Sequence, residues 1–205
     1  SNEAGHWKDS ESLYRRAIAG DPQNLVAHYE LARYLNAEGR HAEAEPHARE
    51  AVRLLPRWSD AYLHLGLAEL GQGKPDAAVN SLHRSLARNP GQLDARRLLA
   101  RAFLALDRPA AARVQLEHVL TAQPGDLQSR LELGDLAASQ GDHAAAWHSY
   151  ALVVGIAREL PQGRAAAERR VKLVEDWPDA PPAARQQARR VAGLAGHGAA
   201  DGSAP

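Results

Sequence analysis

The chain has 205 residues, with 25 lysines and arginines against 25 aspartates and glutamates, and no cysteine. Zero formal charge argues against a protein that lives on phosphate contacts and gives little electrostatic pull toward anionic lipid. Without cysteine there are no disulfides, thiolate metal sites or cysteine nucleophiles, and both cytosol and periplasm suit such a chain.

Aromatic residues make up only 5% of the sequence, while alanine, leucine and arginine abound. That mixture favours helix, and the alternation of β-branched and aromatic residues that marks strands is scarce, so the expected class is all-α. The sequence has no methionine and opens on Ser1-Asn2, which reads as a trimmed or processed end of a longer product. The longest apolar run, "ALVVGIA" at 151–157, is far short of the ~20 residues of a membrane span, so no direct membrane insertion is expected of this stretch.

Pro22, Pro56, Pro90 and Pro124 stand 34 residues apart and set a register for the whole chain. Residues 6–24 come first: Trp7, Tyr14, Ala17 and Pro22 fall where His41, Ala48, Ala51 and Pro56 fall one period later, so this segment reads as a second helix without its first. Units at 25–58, 59–92, 93–126 and 127–160 follow, each read as two helices of about a dozen residues joined by tight turns. Unit two has Tyr62, Leu65, Gly66, Ala78, Leu82, Ser85 and Pro90; unit one matches with His28, Leu31, Ala32, Ala44, Ala48, Ala51 and Pro56. Unit three has Arg96, Leu99, Ala100, Ala112, Leu116, Val119 and Pro124, and unit four Arg130, Leu133, Gly134, Ala146, Tyr150 and Val153, with Arg158 where proline would stand.

Small residues at 32, 66, 100 and 134, with alanine at 44, 78, 112 and 146, would let paired helices approach closely. Gly39, Gly73 and Gly141 suit a left-handed turn between helices, and Asp107 holds that place less comfortably. Pro46 lies early enough in a second helix to kink it rather than break it. Without a proline at 158, the last unit's helix is expected to continue to Leu160 and stop at Pro161-Gln162-Gly163. Capping helices are expected over 161–193, one at 164–176 and a last one capped by Asp179 and begun by Pro181-Pro182, followed by a disordered tail at 194–205.

The period, the small residue after a leucine, the alanine in the second helix and the closing proline resemble the tetratricopeptide repeat family over roughly 6–160. The resemblance implies a right-handed superhelical solenoid whose units stack because none buries its apolar face alone. It also implies that one stripe of each first helix looks into a concave groove. That stripe holds Tyr29, Arg33 and Asn36, then Leu63, Leu67 and Leu70, then Arg97, Arg101 and Leu104, then Leu131 and Asp135. A leucine patch flanked by arginines suits a peptide with apolar anchors and acidic residues, although the same leucines would also serve to pack neighbouring units. The carboxylate clamp of some family members is not matched, since its places hold Tyr29, Arg33, His64, Asp94 and Leu98.

No catalytic, cofactor or metal site is legible. His143 and His148 are five apart and His41 and His47 six apart, which is not the same-face pairing of a helical zinc site. "GLAELGQGKPD" at 66–76 lacks the lysine placement of a phosphate loop, and Glu43 and Glu45 read as solvated charges on a helix face.

The leading expectation is therefore a protein–protein interaction scaffold without chemistry of its own. A second follows from residues 7–56, which resemble the start of the soluble part of multispanning glycosyltransferase-like proteins with C-terminal repeats. Catalysis would then lie upstream, and this stretch would face the periplasm. A third, RNA binding by helical repeats, has only seven basic against four acidic side chains in 164–190 to recommend it, and no nucleic-acid partner is expected. The half repeat, with Trp7, Leu13 and Tyr14, could also pair two copies of the chain.

Overall fold

The computed structural model describes residues 3–157 and 160–197, with side chains over 10–157 and 160–190. Among the described residues there are eleven α-helices and no strand. α1 (Glu3–Gly20) precedes four hairpins: α2 (Leu25–Ala37) with α3 (His41–Leu54), α4 (Ser59–Gly71) with α5 (Pro75–Arg88), α6 (Leu93–Ala105) with α7 (Pro109–Ala122), and α8 (Leu127–Ser139) with α9 (His143–Ile156). α10 (Pro161–Glu175) and α11 (Pro182–His197) follow.

Two kinds of turn impose the period. Within a hairpin, the residue in the left-handed region is Gly39 (φ 72°), Gly73 (70°), Asp107 (53°) or Gly141 (76°). The next N–H then donates to a carbonyl five residues back: Arg40 to Leu35 (2.8 Å), Lys74 to Glu69 (2.9 Å), Arg108 to Phe103 (2.8 Å) and Asp142 to Ala137 (2.9 Å). This closure satisfies a carbonyl that the helix end would leave bare.

Between hairpins, Asn24 donates to Asp21, Trp58 to Leu55, Gln92 to Asn89 and Asp126 to Gln123, all at 3.0–3.1 Å. Each proline of the register is the second residue of such a turn, where its fixed φ is already the required one. Leu160 N–H donates to Ala157 O at 2.9 Å, on either side of residues 158–159, which lie outside the described residues.

The proline carbonyls are capped in register too. Pro22 accepts from His28 Nε2 (3.1 Å), Pro90 from Arg96 (2.9 Å) and Pro124 from Arg130 (2.7 Å). Tyr62 holds the corresponding place in α4, and there Arg88 stacks over the tyrosine ring (4.3 Å) and supplies the donor to Pro56 (2.6 Å).

The chain divides into two compact units, residues 1–115 and 116–205. In the first, Leu31, Leu35, Ala44 and Ala68 are fully buried and take Tyr14 and Ile18 of α1 against them, while Ala32, Ala48 and Leu65 form a second cluster. In the second, Leu131, Ala137, Ala146, Tyr150 and Val153 pack with Ala166 and Leu173 of α10. Each fully buried leucine contributes about 1.5–3 kcal/mol through lost apolar exposure. Small residues set the helix spacing as expected. A Cβ on Gly66 would lie 2.7 Å from Leu82 Cγ, and one on Gly134 would lie 2.4 Å from Tyr150 Cε1.

Polar contacts brace the first unit. Glu45 accepts from Lys74 Nζ, Arg49 and Gln72 Nε2, each at 2.7 Å, and these hydrogen bonds, led by the lysine, hold its carboxyl down at about 2. Glu45 is thus a buttress between α3 and the α4–α5 turn, not a free solvated charge. Glu69 is buried, accepts from Ser81 Oγ (2.6 Å) and Arg49 (2.9 Å), and is pushed up by burial. His28 must donate from Nε2 to the Pro22 carbonyl, so its Nδ1 is an acceptor for the Nδ1–H of His47 at 3.0 Å.

α3 is not broken by Pro46, in keeping with the expectation for a proline so early in a helix, and Pro46 is exposed. Other boundaries differ from the sequence reading. α9 ends at Ile156 rather than Leu160, and Pro161 opens α10 instead of stopping a helix, because a first-turn proline gives up only an N–H that would have no intrahelical partner. Pro181 O accepts from Arg185 N–H (3.1 Å), so Pro181 and not Asp179 holds the cap position of α11. α11 reaches His197, so residues 194–197 of the expected tail are helical, and 198–205 lie outside the described residues. In the N-terminal segment Leu13 is exposed and Tyr14 half-buried, while the Trp7 side chain lies outside the described residues.

Two substitutions at small or turn positions should move stability in opposite directions. Gly134→Ala should lower it by about 1–2 kcal/mol, since overpacking against Tyr150 outweighs the helix gain. Asp107→Gly should raise it by about 0.5–1 kcal/mol by releasing a left-handed aspartate. Urea titrations followed by circular dichroism read both, and a stabilised Gly134→Ala would refute the close-approach assignment.

Stability should also fall in acid through His47. Burial, then the His28 ring and the Arg15 charge hold the His47 imidazole below its ordinary range, with Glu43 opposing, and burial holds His64 down likewise. The unfolded chain therefore takes up these protons more readily. The neutral rings' contribution is complete above pH ~6.5 and is lost as pH falls below it. His47→Asn keeps an N–H donor without the titration and should flatten that fall between pH 7.5 and 5. An unchanged slope would count against the assignment.

Candidate interaction face

The first helices of the hairpins share one length and one register, so equal positions stand in rows. α2 packs on α4 and α4 on α6 within the first unit. The rows there are Tyr29–Leu63–Arg97, Arg33–Leu67–Arg101 and Asn36–Leu70–Leu104. Positions four and seven apart on one helix lie on the same face, which makes each stripe continuous along its helix.

Leu63, Leu67 and Leu70 are half-buried and Leu104 is 38% exposed, so a leucine strip reaches solvent. Arg33 is exposed and pairs with Glu30 one turn earlier (2.8 Å). Arg97 pairs with Asp94 in the same manner. Arg101 is exposed and has no ion pair among the described residues. Tyr29 rests against Trp58 (ring centroids 4.1 Å apart) and edge-on to His64 (5.3 Å). Burial, then Asp60 and Glu30, push its hydroxyl up, so it stays neutral and able to donate.

Two residues of the expected stripe are used inside the fold. Asn36 is 5% exposed, donates from Nδ2 to the His64 carbonyl (2.9 Å) and accepts from His41 Nδ1 (3.0 Å). It bridges α2, α3 and α4. Leu131 is 4% exposed and belongs to the core of the second unit.

Asp135 keeps part of its surface but accepts from Tyr150 OH (2.8 Å) and from Arg169 Nε of α10 (2.7 Å). The reason is that α10 covers α8. Pro161 follows Leu127 by the same 34 residues, so α10 stands where another first helix would, and it packs on both α8 and α9. The signal for this lies in the sequence, since counting the period once more lands on Pro161, but a proline there reads equally as a stop.

Histidines expected on the surface or between helices fall largely into the second class: His28 meets His47, His41 meets Asn36, and His143 stacks on Trp177 (5.8 Å). The face holds no nucleophile–base pair in hydrogen-bond contact among the described residues. What it offers is apolar surface with guanidinium donors, a chemistry of binding.

Comparison with known proteins agrees with this architecture. One tetratricopeptide repeat model matches residues 3–57 and 100–162, and a second matches 69–128. Human DnaJ homolog subfamily C member 3 is 33% identical over 89 residues, covering 43% of this chain and 18% of that protein. Human protein O-mannosyl-transferase TMTC1 is 40% identical over 60 residues, covering 29% of this chain and 7% of that protein. Hsp70-Hsp90 organizing protein of Triticum aestivum is 30% identical over 99 residues, covering 48% and 17%. The chain thus spans less than a fifth of the length of these curated relatives.

Among solved structures, PilW, a type IV pilus biogenesis factor, superposes with a TM-score of 0.81 at 17% identity, over 97% of this chain and 89% of that one. YrrB, a TPR protein with an unusual peptide-binding site, gives 0.67 at 17% identity over 91% and 97%. At such identities these likenesses speak to the fold. With the family models covering more than half its length, the chain belongs to the tetratricopeptide repeat family.

Proposed function

We propose that this chain is an interaction scaffold that holds a peptide or protein segment against the α2–α4–α6 face, with no chemistry of its own. The observation that carries the reading is the half-buried strip Leu63–Leu67–Leu70, continued by Leu104 and flanked by Arg33, Arg97 and Arg101. Leucines that keep part of their surface in water gain most from a partner's apolar side chain, and the arginines select for carboxylates beside it. The peptide-binding site of YrrB and the similarity to Hsp70-Hsp90 organizing protein support a scaffold of this kind. Leu131 and Asp135 lie in the other unit and are already engaged, so the ligand reads the first unit.

A second reading is supported by the 40% identity to protein O-mannosyl-transferase TMTC1. In it the module belongs to a larger membrane protein whose transferase chemistry lies elsewhere, and it presents partners or acceptor protein. No described helix is long and apolar enough to cross a membrane, so the spans would be found in other parts of the gene, as several stretches of ~20 apolar residues.

The face is tested by selecting peptides from an unbiased displayed library against the chain. Binders should lose at least tenfold in affinity on Leu67→Ser, while the helical circular dichroism signal stays unchanged. Binders indifferent to Leu67→Ser and to Leu63→Ser alike would place the partner elsewhere.

A further inference from the structure

The second unit contains an example of what its rows bind. Asp135 and Arg169 occupy the same position of α8 and α10, 34 residues apart, and their side chains meet at 2.7 Å. Side chains at one position of successive first helices are thus within reach of each other, and an arginine in this row takes a carboxylate. The same row in the first unit reads Arg33–Leu67–Arg101, with no acidic member. Arg101 has no ion pair among the described residues, and Arg33, itself exposed, holds only the half-buried Glu30 one turn earlier on its own helix, a pair that a ligand can replace.

The step along the row fixes the ligand's shape. Helices packed together lie about 8–10 Å apart. A polyproline II chain rises about 9 Å in its three-residue turn and presents every third side chain on one face. A β-strand instead alternates faces and would turn its third residue away.

Resting on the reading of this face given above, we propose that it recognises a polyproline II segment of the pattern acidic-x-x-apolar-x-x-acidic. The apolar side chain sits on Leu67 between Leu63 and Leu70, and the two carboxylates pair with Arg33 and Arg101. Charge complementarity selects this occupant: a neutral or basic segment of the same shape leaves Arg101 without a carboxylate and Arg33 with only its intrahelical Glu30.

The test uses fluorescence anisotropy of the full chain with three labelled peptides of matched composition, built on Glu-Pro-Pro-Leu-Pro-Pro-Glu. One keeps the three-residue spacing, and in the others glutamates and leucine are two or four residues apart. The three-residue peptide should bind at least tenfold tighter than either. Arg101→Glu should weaken it at least tenfold, and replacing one glutamate by lysine should restore binding to that variant alone. Equal affinities across the spacings, or no rescue by the charge exchange, would overturn the proposal. If library binders remain Leu67-dependent but lack the spacing, this proposal fails and the broader reading of the face stands. If no binder depends on Leu67 or Leu63, both fail.

Discussion

A backbone hydrogen bond at the tip of each hairpin sets the geometry on which the rest depends. Arg40, Lys74, Arg108 and Asp142 each donate five residues back, and each needs the residue before it in the left-handed region. Three of those residues are glycine and one is Asp107, so the backbone geometry is kept even where the residue type is not ideal. Together with the proline turns, these closures give first helices of 13 residues and second helices of 14, repeating at the same interval. Equal lengths place equal positions side by side, and rows of side chains are the consequence.

Stacking then uses size and polarity at once. Gly66 faces Leu82 and Gly134 faces Tyr150, so large residues of one helix fill the space left by missing side chains on its partner. Polar groups left near these contacts are satisfied by the next element: Asn36 spans three helices, Glu45 ties α3 to the following turn, and His28 links a proline carbonyl to His47. A hairpin taken alone would lose the Asn36 bond to the His64 carbonyl and the Glu45 bonds to Gln72 and Lys74, and would leave its apolar face bare, which makes the array cooperative over neighbours.

The same row can be closed or open according to the residue that occupies it. In the second unit Asp135 answers Arg169, and α10 covers the stripe. In the first unit Leu67 stands between two arginines and Leu104 reaches solvent. A common backbone thus carries a row closed by its own ion pair at one place and a row open to solvent at another, and the difference lies in side chains at a single repeat position.

The sequence by itself determined the helical class, the interval and the residue types at the turns. A proline every 34 residues and a small residue at each close approach are local requirements, visible wherever they are written. Helical spacing also grouped the residues of the stripe on one face, and the resemblance to the repeat family marked that face as the groove's. Only the tertiary structure decided which of them remain available. Asn36 is consumed by the His64 carbonyl and His41, partners 28 and 5 residues away, and Leu131 is buried in a cluster completed by α10. Burial and hydrogen-bond partnership depend on which helix lies across the face, and a pattern along one helix carries no record of that neighbour.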